Sequence, residues 1–176
     1  KFGSGIKIWN LCQSTDASPL IEDNLILNAR VGINMFSQAF GGQILGEIRN
    51  NTIVNNGCGL LLRMHKENPL IQDNIITDSS DSGIHFTYQD GAFLNARLVK
   101  IIGNVFFNNP RHVWCDATQE ECTPLPDKIT EEQGNSYDID PEFDPDYIPL
   151  NPDCIIGVIG DHVIPSLGDP YIEYTE

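Results

Sequence analysis

Hydrophobic residues recur along this chain in short alternating runs, and nowhere at the 3.6-residue spacing of a helix. One kind of run restarts after a glycine: Gly5-Ile-Lys-Ile, Gly32-Ile-Asn-Met, Gly59-Leu-Leu-Leu and Gly83-Ile-His-Phe, with a degenerate later copy in His112-Val-Trp-Cys. A second pattern is anchored on asparagine. Asn24, Asn51, Asn74 and Asn104 stand in Glu-Asp-Asn-Leu-Ile-Leu-Asn, Arg-Asn-Asn-Thr-Ile-Val-Asn, Gln-Asp-Asn-Ile-Ile-Thr-Asp and Ile-Gly-Asn-Val-Phe-Phe-Asn, at intervals of 27, 23 and 30 residues. Three residues before each anchor is an isoleucine (Ile21, Ile48, Ile71, Ile101), and two after it a large apolar residue (Ile26, Ile53, Ile76, Phe106). Four after it come Asn28, Asn55, Asp78 and Asn108.

Each unit thus holds three short strand-like runs separated by turns. Repeats of this length bury nothing alone and gain a core by stacking. The pattern predicts an all-β fold, a right-handed parallel β-helix of about five coils stacked at ~4.8 Å. The isoleucine and Ile-Ile-Ile-Phe columns should fill the interior. The asparagine column should occupy a tight turn, where asparagine tolerates left-handed backbone and its amide can bond the next coil.

The Asn-x-Ile-x-Asn anchor and the glycine restart resemble the secreted right-handed β-helix proteins of the pectate-lyase-like superfamily. Asp140-Pro-Glu-Phe, Asp146-Tyr-Ile-Pro-Leu and Asn151-Pro-Asp-Cys-Ile resemble the closing segment of those proteins, with Asp153 inserted and Ile156 where an aspartate is usual. Residues 1–135 are read as coils and 136–176 as an irregular capping tail. The first run starts inside a coil without a polar cap, so an upstream β-helix segment or another subunit is expected to cover it.

Charge narrows the partners. Ten Lys and Arg against 25 Asp and Glu give a net charge of −15, which opposes nucleic acid and anionic membrane surfaces. No apolar run is long enough to insert in a membrane. Of the five cysteines, Cys115 and Cys122 bracket a short polar loop whose spacing suits a local disulfide. Such a bond implies an oxidising compartment, here extracellular space or the cell surface. The pairing of Cys12, Cys58 and Cys154 stays open. The metal spacings of a zinc site are absent, because no second close cysteine pair and no histidine pair accompany Cys115 and Cys122.

By resemblance, the sheet after each glycine would hold polysaccharide. Its outward columns carry Lys7, Asn34, Leu61, His85 and Trp114, then Trp9, Phe36, Arg63 and Thr87 with Asp116 continuing. Aromatic faces stack on sugar rings and cations pair with uronate carboxylates. Lys7, Trp9, Phe36, His85 and Trp114 are therefore the expected substrate-binding residues. A lyase needs a base and a cation beside the acidic proton, and Arg63, His65 and Lys66 are of the right types. Asp116 stands alone on this face, which argues against two-carboxylate hydrolysis. No cofactor is expected; calcium on Asp78, Asp81 and Asp90 is the alternative, although no Asp-x-Asp-x-Asp-Gly loop is present.

A competing reading is structural. The strand after each anchor asparagine points Leu25, Thr52, Ile75 and Val105, then Leu27, Val54, Thr77 and Phe107, outward. An outward apolar stripe of that length meets the chain's own tail, an upstream domain or another subunit. An assembly module of an extracellular surface or filament therefore stands beside the carbohydrate-binding module, with an enzymatic activity left undecided.

Overall fold

The computed structural model describes residues 3–10, 15–37, 43–63, 67–87, 99–116, 120–121 and 131–154. Each repeat forms one coil. The first holds β1 (Ser4–Asn10), β2 (Leu20–Glu22) and β3 (Leu25–Leu27). The second holds β4 (Val31–Ser37), β5 (Ile44–Arg49) and β6 (Thr52–Val54), and the third β7 (Cys58–Arg63), β8 (Glu67–Gln72) and β9 (Ile75–Thr77). The fourth holds β10 (Ser82–Thr87), β11 (Lys100–Ile102) and β12 (Val105–Phe107). The fifth holds β13 (Val113–Cys115), the short β14 (Glu120–Glu121), β15 (Glu131–Gln133) and β16 (Ser136–Tyr137).

Equivalent strands pair in parallel into three sheets. Sheet A runs β1-β4-β7-β10-β13 and ends on β14, which pairs antiparallel with β13. Sheet B runs β2-β5-β8-β11-β15, and sheet C runs β3-β6-β9-β12-β16. This is the parallel β-solenoid that the repeat predicts. The fifth coil closes on Ser136–Tyr137, just inside the segment read as tail.

The expected core columns are inside. Ile48, Ile71 and Ile101 are fully buried with Ile21 nearly so, and Ile53, Ile76 and Phe106 sit below Ile26 in the same way. Sheet A contributes Ile33, Met35, Leu60, Leu62, Ile84 and Phe86, all without exposed surface. Each such side chain stabilises the stack by ~1.5–3 kcal/mol through removal from water.

The turn between sheets B and C differs in one respect from expectation. The left-handed residue is not the anchor asparagine but the one before it: Asp23, Asn50, Asp73, Gly103 and Gly134 have φ of 58°, 53°, 53°, 66° and 65°. A second left-handed column lies between sheets C and A, at Asn28, Asn55, Asp78, Asn108 and Asp138. The anchor is thereby freed to aim its amide along the solenoid axis. Asn24 Nδ2 donates to Asn51 Oδ1 at 2.9 Å, Asn51 Nδ2 to Asn74 Oδ1 at 2.9 Å, and Asn74 Nδ2 to Asn104 Oδ1 at 2.9 Å. Asn104 Nδ2 continues the ladder to Asn135 Oδ1 at 3.0 Å. Each of these oxygens also accepts the preceding anchor's backbone N–H.

The glycine restarts mark close approach between coils. A Cβ on Gly32 would lie 2.5 Å from the carbonyl oxygen of Gly59 and 2.8 Å from the Ile53 side chain. Gly5 and Gly83 face the carbonyls of Gly32 and His112 in the same way, at 2.8 and 2.7 Å. No side chain fits there, so glycine is required for packing.

The outward stripe on sheet C is met by the chain's own tail. Ile75 and Val105 are buried in a small cluster with Cys154, against which Ile139 and Phe143 pack. Leu25, at the first coil, remains exposed.

Candidate functional site

Sheet A positions its outward side chains in straight columns because its strands pair in register. Lys7, Asn34, Leu61, His85 and Trp114 stand one above another across five strands. Trp9 pairs with Phe36, and Arg63, which closes β7, pairs with Thr87. All five residues expected to bind substrate therefore share one face. Of the expected catalytic set only Arg63 has a described position; His65 and Lys66 lie outside the described residues, as do Cys122 and Asp90.

Two clusters occupy the ends of this face. At the first, Trp9 is 53% exposed and meets Phe36 edge-on, with ring centroids 5.9 Å apart. The Lys7 ammonium sits over the Trp9 ring at 3.7 Å, a cation–π contact.

At the other end five side chains close a ring. His85 Nε2 meets Asp116 Oδ1 at 2.8 Å, and Trp114 Nε1 donates to the same oxygen at 3.1 Å. The Arg111 guanidinium stacks over Trp114 at 4.3 Å and ion-pairs with Asp81. Asp81 Oδ2 returns to His85 Nδ1 at 3.7 Å. Asp116, which stands alone in the sequence columns, is thus the centre of a network. Arg111 and Asp81 went unrecognised as its members. The usable signal was a pair of opposite charges at stacked corners: Arg111 directly precedes the glycine-equivalent His112, and Asp81 lies just before Gly83.

Calcium finds no support among the described residues. Asp78 accepts hydrogen bonds from Thr77 and Asn108, and Asp81 is held by Arg111. The two carboxylates are thereby turned to separate tasks. The thiols are equally unsuited to a cluster. Cys115 is buried as an inward residue of β13, and Cys58 is buried with its Sγ donating to Leu60 O at 3.0 Å. Burial pushes the Cys58 thiol up to about 11, so it is a protonated thiol near neutrality.

The family model described as periplasmic copper-binding protein (NosD) matches residues 10–123, well over half of the chain. No curated protein and no solved structure matches it. Copper favours imidazole, thiolate and thioether donors. Among the described residues no three His, Cys, Asp or Glu side chains gather as a metal site. Met35 is sealed in the core, and the carboxylates beside His85 contact opposite nitrogens of its ring instead of converging on one point. The described residues therefore do not fit a copper centre. By the extent of the match, the chain belongs to the NosD periplasmic copper-binding protein family.

Proposed function

We propose that this protein is a cell-envelope or extracellular β-helix module whose sheet A face engages polysaccharide. The observation that carries the reading is Trp9, half-exposed and braced by Phe36 and Lys7 on an otherwise regular sheet. A large indole left in water and held in place is the form of a sugar-stacking platform. The NosD family name supports an envelope location, and the likeness to the pectate-lyase-like superfamily supports a saccharide ligand. A glycan array followed by calorimetry tests the binding. Trp9→Ala should weaken affinity by ~1–3 kcal/mol through lost stacking surface, while Thr52→Ala on sheet C should leave it unchanged. Equal behaviour of the two variants would sink the proposal.

A second reading, a non-catalytic assembly module, is favoured by one specific observation. The Oδ1 atoms of Asn51, Asn74, Asn104 and Asn135 each accept two hydrogen bonds from the preceding anchor. Asn24 Oδ1 accepts none from the described residues, and Trp9, Leu20 and Leu25 expose apolar surface on the same coil. A further coil donating from an asparagine would complete the ladder. Analytical ultracentrifugation tests self-association; a monomer at all concentrations removes a second copy of this protein as that coil.

A further inference from the structure

Resting on the polysaccharide reading, we infer that the sugar taken by this face is neutral and is held through its hydroxyl groups. The inference comes from how the charged groups among the described side chains of sheet A are already used. Uronate recognition needs a cation free to meet a carboxylate, ideally through a bidentate fork. Arg111 has that fork, but it is occupied by Asp81 and lies flat over Trp114. His85 is held between Asp116 and Asp81. Lys7 rests on the Trp9 ring. The ring of five side chains sets two carboxylates, Asp81 and Asp116, around one guanidinium, one imidazole and one indole N–H.

What this end of the face offers a ligand is acceptor capacity. Asp116 uses Oδ1 for both His85 and Trp114, and its side chain is 41% exposed. Its other oxygen, Oδ2, is engaged by no described residue. A carboxylate oxygen held in place in this way accepts a sugar hydroxyl well and repels a uronate. The chain's net charge of −15 adds a long-range field of the same sign. From Trp9 on β1 to Trp114 on β13 the face crosses four strand spacings, ~19 Å. Its ligand would therefore stack on Trp9 at one end and donate hydroxyl protons to Asp116 at the other. Arg63 stands on β7 in register with Thr87, and its alanine variant tests whether an acidic sugar is read there.

The test is calorimetry of the intact protein with cellohexaose and xylohexaose against hexagalacturonate, in low and high salt. The inference expects a neutral hexasaccharide to bind more tightly, with little salt dependence. It also expects Asp116→Asn, which keeps the shape and the contacts to His85 and Trp114, to weaken that binding roughly tenfold or more with thermal stability retained. Unchanged affinity in Asp116→Asn overturns the acceptor role. Tighter binding of hexagalacturonate, lost in salt and in Arg63→Ala, overturns neutrality while leaving a glycan-binding face. Binding of no oligosaccharide overturns the polysaccharide reading itself.

Discussion

Replacing Asn74 by alanine removes the middle rung of the asparagine ladder, and its cost can be worked from the contacts. Asn74 is fully buried. Its Oδ1 accepts Asn51 N–H at 3.0 Å and Asn51 Nδ2 at 2.9 Å. Its Nδ2 donates to Ile48 O at 2.8 Å, Gln72 O at 2.9 Å and Asn104 Oδ1 at 2.9 Å. Alanine leaves the Asn51 N–H with no acceptor and strips Ile48 O of a donor, both in the interior. Each buried group left short costs ~1–3 kcal/mol, so the loss should reach ~3–5 kcal/mol. Asn24 is the internal control. It is half-exposed, and its Oδ1 accepts nothing from the described residues; alanine there forfeits only the Nδ2 bonds to Glu22 O and Asn51 Oδ1. Asn51 Oδ1 keeps the Asn24 N–H. Water reaches the rest, so Asn24→Ala should cost ~1 kcal/mol or less. Urea denaturation followed by circular dichroism measures both. At ~2–4 °C per kcal/mol for a chain of this size, the melting temperatures of the two variants should also separate by several degrees. Equal destabilisation, within ~0.5 kcal/mol, would show that the ladder is not what holds the coils in register.

Other expectations follow from the packing and the thiols. Gly32→Ala should destabilise by ~1–3 kcal/mol or more from overpacking, because the added methyl meets a backbone carbonyl of the next coil; calorimetric melting at wild-type temperature would refute the close approach. The Cys58 thiol ionises near 11 when folded and near an ordinary 9.0 when unfolded. The folded state therefore holds its proton longer, and this contribution is complete below pH 9. It is lost between pH 9 and 11, by up to ~2–3 kcal/mol. The stability difference between wild type and Cys58→Ala should shrink over that window, and a pH-independent difference would contradict the burial argument. Mass spectrometry of unreduced peptides should find Cys115 joined to Cys122, and two alkylatable thiols in freshly purified protein would remove the case for an oxidising compartment.

The parts of the fold that repeat were the parts that could be read from residues. Ile48 and Ile71 are identical residues at identical distances from an asparagine, and stacking puts them in one column. Asn135 was passed over because its neighbours break the pattern: Glu132 stands where isoleucine is the rule, and Ser136 and Tyr137 replace two apolar residues. Its Gly134-Asn135 step, matching Gly103-Asn104, was the signal that remained. A second ladder was invisible for a different reason. Asn56 Oδ1 accepts Ala29 N–H and Asn109 Oδ1 accepts Ser79 N–H, so asparagine appears only in alternate coils and leaves no continuous column. At the candidate site, alternation sorted Trp9, Phe36, His85 and Trp114 onto one face. It could not join Arg111 and Asp81 to Asp116, because those residues sit at corners, where strand periodicity says nothing about direction.

The spacing of the anchors, 27, 23, 30 and 31 residues, has to be reconciled with ladders that tolerate no slippage. Between sheets B and C every connection is two residues long, and those between C and A differ little. The difference in coil length is therefore discharged at the remaining corner, between A and B, where connections range from three residues after β7 to twelve after β10. That corner works as an expansion joint. Residues can be added to it or exchanged without shifting a single amide in either ladder, whereas one residue added between sheets B and C would throw every later coil out of step. In the chain the joint follows directly on the sheet A strands, so its length changes next to the ends of those strands. Recognition could then be altered coil by coil while the stack beneath stays the same.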